Sequence, residues 1–273
     1  MEIIDKIIYR YLANKNHPNM AVFVNDCVGL NVICHEVYEK KDLDLIFSYF
    51  DSKVFEQPCL DIGANIGNHS VYFSNIFKSV KSFEPQSTVF ELLKINTKKI
   101  KNIETYNFGL SDSELKLKIY YDIENRGAGS FFQSTTRTEK EICDTNIFDN
   151  LFSDLEFSFC KIDVEGFELN VLKGMENGLK ANLPIIAFEG IHGKTSEVIN
   201  FLKSLGYTKF LVPSDQKINS YIISENIFLI AIRLLIRKLD FFYKRRLVDY
   251  RSDLVRDYNL ILAINEKSQY KIK

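Results

Sequence analysis

The chain has 273 residues, 46% of them hydrophobic and 26% charged, which is ordinary globular composition and enough length to bury a sizeable core. A formal net charge of −1 excludes a global electrostatic pull toward nucleic acid or anionic membrane. Five cysteines (Cys27, Cys34, Cys59, Cys143, Cys160) form no CxxC and predict reduced thiols, and the four scattered histidines lack zinc-ligand spacing.

Residues 1–14 read as a short amphipathic helix. The opening "MEIIDKIIYRYLANKNHP" carries acids early and no continuous apolar run, so no secretory signal is predicted, and the protein is expected to be cytoplasmic. No run of 18 uncharged apolar residues reads as a spanning helix. "AVFVND" and "LNVICHEV" read as a strand pair turning at Cys27-Val28-Gly29. "KKDLDLIFSYF" places Leu43, Ile46, Phe47 and Phe50 at helical spacing.

From Pro58 onward, buried strands alternate with helices. "CLDIG", "VKSFEP", "IETYNFGLSD", "LEFSFCKIDVEG", "LPIIAFEG" and "YTKFLV" are the predicted strands. Helices are predicted over Ile66–Phe77, "STVFELLKINTKKI", Phe167–Leu179 and "SEVINFLKSLG". "LKLKIYYD" and "GSFFQSTT" form a β excursion before the fourth strand, and "NLILAINEK" is a last strand, expected beside the sixth. This rhythm predicts an α/β fold with a mostly parallel, seven-stranded sheet, helices on both faces and an antiparallel final strand.

The chain divides by this reading into an N-terminal helix, hairpin and helix (1–57), a cofactor-binding core (58–212), a helical insert (213–257) and a final strand with tail (258–273). The insert is helical by period. It fits a lid, a substrate platform or a contact with a second subunit. Arg233, Arg237, Lys238, Lys244, Arg245 and Arg246 beside apolar residues also fit a peripheral membrane helix.

The first strand ends in Asp61-Ile62-Gly63-Ala64-Asn65-Ile66-Gly67-Asn68. Its glycines are spaced G-x-x-x-G without flanking cations, short of the G-x-G-x-x-G that cradles a pyrophosphate. Glu84 ends the second strand, 23 residues after Asp61, where an acid can accept from both hydroxyls of a ribose. Acids recur at predicted strand ends: Asp61, Glu84, Asp112, Asp163, Glu165 and Glu189. Such a rim repels a pyrophosphate and suits a cofactor with a cationic end. S-adenosylmethionine carries a sulfonium and an ammonium on an adenosine, and its carboxylate can use backbone N–H groups near Asn65–Asn68.

"LDIGANIGNHSVYFS", "FEPQSTVFELLKIN", "NFGLSD", "KIDVEGFELNVLKGM" and "IIAFEG", in this order from about Tyr38 to Glu189, resemble the FkbM family of class I S-adenosylmethionine-dependent methyltransferases. The resemblance implies O-methyl transfer, with a hydroxyl of a sugar, glycan or related small molecule as acceptor. It also implies that Asp61, Gly63, Asn65 and Gly67 hold the methionine end, Glu84 the ribose, and Ser111 and Asp112 the adenine. Asp163 lies where the methyl group must be. An alcohol nucleophile benefits from a general base, and His192, Glu165, Asp163 and Glu189 are the candidates. Glu168 reads equally as a charge at a helix start.

Asp163 and Glu189 could share a divalent cation such as Mg²⁺, although no spacing demands a metal. His69 is expected to pack at a helix start, and His17 and His35 to be structural. "NRGAGS" (Asn125–Ser130) reads as a flexible loop, with Arg126 and Ser130 as candidate substrate contacts. Two other readings stay open: an NAD-dependent oxidoreductase and a non-catalytic cofactor-binding module. A nucleic-acid substrate is disfavoured by the charge and by the lack of a broad basic stripe.

Overall fold

The structure, a computed structural model, describes residues 20–23, 27–35, 37–122, 125–132, 139–191, 193–213, 245–251 and 258–272. Helices α1 (Cys27–His35), α2 (Lys40–Ser48) and α3 (Ser52–Phe55) come first. The periodic Leu43, Ile46 and Phe47 form the buried face of α2, and the Asp51 side chain caps α3 by accepting from the Lys53 N–H.

Strand β1 (Cys59–Ile62) is buried at every position, as a strand covered on both faces must be. Helix α4 (Asn68–Ser74), β2 (Val80–Phe83), α5 (Ser87–Thr97) and β3 (Ile103–Tyr106) follow as crossovers. Then β4 (Gly109–Leu110), β5 (Lys116–Asp122), β6 (Asn125–Ser130) and β7 (Glu139–Asn146) build a separate sheet in the order β4-β7-β5-β6. After α6 (Phe148–Leu151) come β8 (Phe159–Ile162), α7 (Glu168–Gly174), α8 (Glu176–Asn182), β9 (Ile185–Gly190), α9 (Thr195–Ser204), β10 (Lys209–Pro213), β11 (Leu247–Asp249) and β12 (Tyr258–Ile264).

The main sheet runs β11-β10-β12-β9-β8-β1-β2-β3. Pairs from β9 to β3 are parallel, whereas β12 is antiparallel to both β9 and β10. The chain leaves β1 toward β2 and β3, then returns to β8 on the other side. The carboxyl ends of β1 and β8 therefore form the switch point where α/β sheets bind ligands. A tryptophan-free core packs instead on phenyl rings: Phe47 meets Phe50, Phe55, Phe73, Phe77 and Phe159 with centroids 5.4 to 6.1 Å apart.

Several expectations are corrected. The sheet has an eighth strand: β11, from the stretch expected to be a helical insert, pairs antiparallel with β10. The rest of that insert, residues 214–244 and 252–257, lies outside the described residues, as do residues 1–19 with their predicted helix. The final strand pairs antiparallel with β10, as expected, and also with β9, so that it lies between them. The expected hairpin gives way to α1, because Val32 and Gly29 must share one buried side. Its β-branched residues favour a strand only weakly, and packing overrides them.

Asn125–Ser130 is strand β6 and not a loop; it pairs with β5. The predicted Phe167–Leu179 helix is interrupted at Met175, between Gly174 and Glu176. Gly174 lies so close to the loop after β4 that an added Cβ would sit 1.8 Å from the Ser111 carbonyl oxygen.

Candidate active site

The β1 turn is built for close approach. Gly63 has φ +77°, and the Gly63 and Ala64 N–H groups both donate to the Phe83 carbonyl, at 3.0 and 2.9 Å. Asn65 takes the left-handed conformation at φ 52°, which asparagine tolerates by bonding locally. Its Oδ1 accepts the Ile66 N–H at 2.7 Å. Gly67, at φ +88°, leads into α4.

Below this turn Asp61 is fully buried. Ser70 Oγ donates to its Oδ2 at 2.6 Å, while Oδ1 has no hydrogen-bond partner among the described residues. Lys161, directly opposite on β8, is 2% exposed; its Nζ stands 3.8 Å from Asp61 Oδ1 and 3.0 Å from Asp163 Oδ2. Burial works against the ammonium, yet Asp163 and Asp61 hold its pKa above the usual value. Burial likewise raises the Asp61 carboxyl, and Lys161 opposes that rise.

Two clefts meet here, sharing Gly63, Asp163 and Glu165. The narrower, about 40 Å³, lies between Glu84, Gln86 and Val89 on one side and Leu110, Ile119, Gly129 and Phe131 on the other. Glu84 Oε2 accepts the Asn65 N–H at 3.0 Å and Oε1 the Gln86 N–H at 2.8 Å. Burial pushes its carboxyl up to about 7 against the pull of those two amides. The small sheet forms the opposite wall, where Ser130 Oγ donates to the Glu165 carbonyl at 2.8 Å and Phe131 packs on Phe167.

The wider cleft, about 230 Å³, is walled by carboxyls: Glu39, Asp163, Glu165 and Glu189. Glu189 Oε2 is buried without a hydrogen-bond partner among the described residues. Burial, then Asp163, Glu165 and Glu168, push this carboxyl up to about 9, so it holds its proton at neutral pH. Asp163 is 36% exposed and anchored by Lys161. Glu165 sits at φ 53°, just before Gly166 at φ +94°, and this strained turn turns the chain from β8 toward α7.

The predicted site residues thus divide. Asp61, Gly63, Asn65, Glu84, Asp163, Glu165 and Glu189 converge at the ends of β1, β2, β8 and β9, Asp61 just beneath the clefts and the others on their walls. Gly67 shapes the turn behind them. Ser111 and Asp112 line neither cleft: Ser111 is buried and donates to Asp112, and exposed Asp112 accepts from Asn170 Nδ2 on α7. Glu168 is buried, and its Oε1 accepts the Gly166 N–H at 3.0 Å, supporting the turn. His192 and the Arg126 side chain lie outside the described residues.

His69 does pack at a helix start. Its Nε2 lies 3.1 Å from the Tyr38 carbonyl, and burial, with nearby Lys161, drives its pKa down to about 3. Glu39, Lys161, Asn68 and Asn259 were missed by sequence reasoning. Lys161 left one signal, a lysine inside an otherwise apolar strand two residues before Asp163, hence on the same face. Among the described residues no cluster of three or more His, Cys, Asp or Glu is arranged to hold a metal, and no helix is long and apolar enough to cross a membrane.

A sheet with strands β3-β2-β1-β8-β9 parallel and a late antiparallel strand inserted beside β9 is the architecture of class I methyltransferases. The family model described as the methyltransferase FkbM domain matches residues 61–209. The chain belongs to the FkbM methyltransferase family.

Three solved structures show the range of its likenesses. The methyltransferase FkbM of Methylobacillus flagellatus KT is 14% identical, with a TM-score of 0.39; the match covers 74% of this chain and 52%, about half, of that one. The precorrin-6y C5,15-methyltransferase of Geobacter metallireducens GS-15 is 13% identical, TM-score 0.40, over 77% of this chain and 81% of that one. Aeropyrum pernix fibrillarin, solved with S-adenosyl-L-methionine, is 12% identical, TM-score 0.40, over 77% and 68%. No curated protein sequence matches the chain.

Proposed function

We propose that this chain moves a methyl group from S-adenosylmethionine to a hydroxyl oxygen of a small-molecule acceptor, with a sugar or glycan hydroxyl as the substrate class. The observation that carries this reading is the junction of the two clefts. A compartment walled by apolar residues and the buried Glu84 opens, past Gly63, into one walled by four carboxyls. The lining of the first suits an adenosine with its ribose, and the carboxyls of the second suit a cationic sulfonium at the junction.

The residues present fit that cofactor. Gly63 lines both clefts, Glu84 spends one lone pair of each oxygen on a backbone N–H and keeps the others for ribose hydroxyls, and Glu189 Oε2 is buried with no hydrogen-bond partner among the described residues. When bound, the cofactor supplies a methyl carbon to an attacking oxygen, and its sulfur keeps the electron pair of the broken C–S bond. The chain's own task is to align that oxygen and take its proton. Glu189 already carries a proton at neutral pH and is placed to donate to an acceptor hydroxyl. Asp163, Glu165 or His192 is then the base that takes the hydroxyl proton.

Calorimetric titration with S-adenosylmethionine, S-adenosylhomocysteine and NAD tests the reading. Micromolar binding of the first two, lost in Glu84→Ala, supports it and opens a screen of sugar acceptors for methyl transfer. Binding of NAD alone overturns it in favour of an oxidoreductase.

A further inference from the structure

The amino-acid end of such a cofactor needs one receiver for a cation and one for an anion. The backbone N–H groups anticipated for the anion are largely spent. Asn65 N–H goes to Glu84 Oε2 at 3.0 Å, Ile66 N–H to Asn65 Oδ1 at 2.7 Å, and Gly67 N–H to the Ala64 carbonyl at 2.9 Å.

The next residue offers what they do not. Asn68 lines the wider cleft and is 4% exposed. Its Oδ1 accepts the Tyr38 N–H at 3.1 Å, which fixes the amide orientation. That leaves Nδ2 as a buried donor with no hydrogen-bond partner among the described residues, a group that costs stability until something accepts from it.

Glu39 follows Tyr38, lines the same cleft and takes the left-handed conformation at φ 57°. The Tyr38 backbone is held at both ends: Asn68 accepts from the Tyr38 N–H and His69 donates to its carbonyl. The Glu39 side chain is 8% exposed, with His69 Nε2 3.8 Å from its Oε2. His69 is neutral and its Nε2 hydrogen is committed to Tyr38, so it is no counter-ion. Asn259 hydrogen-bonds to Glu39; of the nearby charges, Asp163 and Asp42 repel it, and Lys161, itself held by Asp61 and Asp163, attracts it without offsetting its burial. Burial, the largest cause, pushes the carboxyl up to about 8. A buried acid in this condition is completed by a cation from outside.

We infer that Glu39 and Asn68 together receive the amino-acid end of the cofactor, the Glu39 carboxylate taking the α-ammonium and Asn68 Nδ2 donating to the α-carboxylate. The inference rests on the cofactor reading above and adds a residue that precedes the family-matched segment 61–209.

The test compares two probes by calorimetry on the full chain. S-adenosylhomocysteine carries the amino-acid end, and 5′-methylthioadenosine has the same adenosine and thioether without it. Glu39→Gln is expected to weaken S-adenosylhomocysteine by at least about 30-fold, the lower bound for removing one partner of a buried charge pair, and to leave methylthioadenosine unchanged. Asn68→Asp keeps the acceptor for Tyr38 and puts an anion where the donor was, so it should show the same selective loss. Circular dichroism of both variants checks that the fold is intact. Equal weakening of both probes, or of neither, overturns the assignment while leaving the cofactor reading standing. Failure of the unaltered protein to bind S-adenosylhomocysteine sinks both.

Discussion

The Gly63 α-carbon faces the Asp163 carbonyl so closely that an added Cβ would lie 1.8 Å from its oxygen. The ends of β1 and β8 meet at this point, and no side chain fits between them. Gly63 also holds φ +77°, a region that costs an L-residue about 1–2 kcal/mol. Gly63→Ala should therefore lose at least ~2 kcal/mol in urea unfolding and lose S-adenosylhomocysteine binding. A variant as stable and as tightly binding as the parent would show that the two strand ends can separate freely.

Lys161 is the single ammonium between two acids, fully buried Asp61 and half-open Asp163. Breaking a buried pair by deleting one partner leaves an uncompensated charge, at a cost of about 3–5 kcal/mol. Lys161→Met should fall in that range. Adding Asp61→Asn removes the stranded charge, so the double variant should be more stable than Lys161→Met alone. Chemical unfolding of all four proteins closes the cycle; strict additivity would mean that the two groups do not interact.

Besides Ser130 and the Phe131 and Phe132 rings against Phe167, Lys194 ties the small sheet to the cleft wall. Lys194 Nζ stands 3.3 Å from the Phe132 ring centroid and donates to the Gly166 carbonyl at 3.1 Å. Lys194→Ala should leave the melting temperature nearly unchanged and speed release of S-adenosylhomocysteine at least about 2-fold, the effect of losing a cation–π contact of ~0.5 kcal/mol. Stopped-flow displacement measures it, and an unchanged release rate would uncouple this fastening from the cofactor.

The strands that carry the site were legible because their residues are buried on both faces and read as apolar runs ending in acids: "CLDIG", "FCKID" and "IIAFEG". Helices with a clean apolar stripe, such as α2, were legible for the same reason. Features set by distant partners were not. The α1 segment has β-branched residues and takes helix form through packing. β7, "EKEICDTN", is largely exposed: it buries Cys143 and Thr145, while its one strongly hydrophobic residue, Ile142, faces solvent. Asp112 looked like a ligand because acids at strand ends often are, yet its partner is Asn170, 58 positions along the chain. Glu39 is the opposite case: nothing local distinguishes it, and only the fold brings it against Asn68, Asn259 and Asp163.

Buried acids and a buried histidine give the protein opposite pH limbs: Glu39 and Glu84, raised to about 8 and about 7, act in the same direction as Glu189, and His69 in the other. Glu189 faces Asp163, Glu165, Glu168 and Lys161, and its pKa rises from 4.5 to about 9 on folding. The unfolded chain releases that proton first, so the stability this group contributes is complete below pH 4.5. It is lost as pH climbs toward 9, by at most about 1.4 kcal/mol per unit. His69 faces Lys161, Asp163 and Glu39 and drops from 6.5 to about 3. Its contribution is complete above 6.5 and fades as pH falls toward 3, because the unfolded imidazole takes up the proton first. Glu189→Gln should therefore raise the melting temperature clearly at pH 8.5 and little at pH 5, and His69→Gln should flatten the limb below pH 6.5 alone. Calorimetric melts from pH 4 to 9 read both limbs. If Glu189→Gln gains no more at pH 8.5 than at pH 5, the acid is not held protonated in the cleft, and its assignment as a donor to the acceptor hydroxyl falls with it.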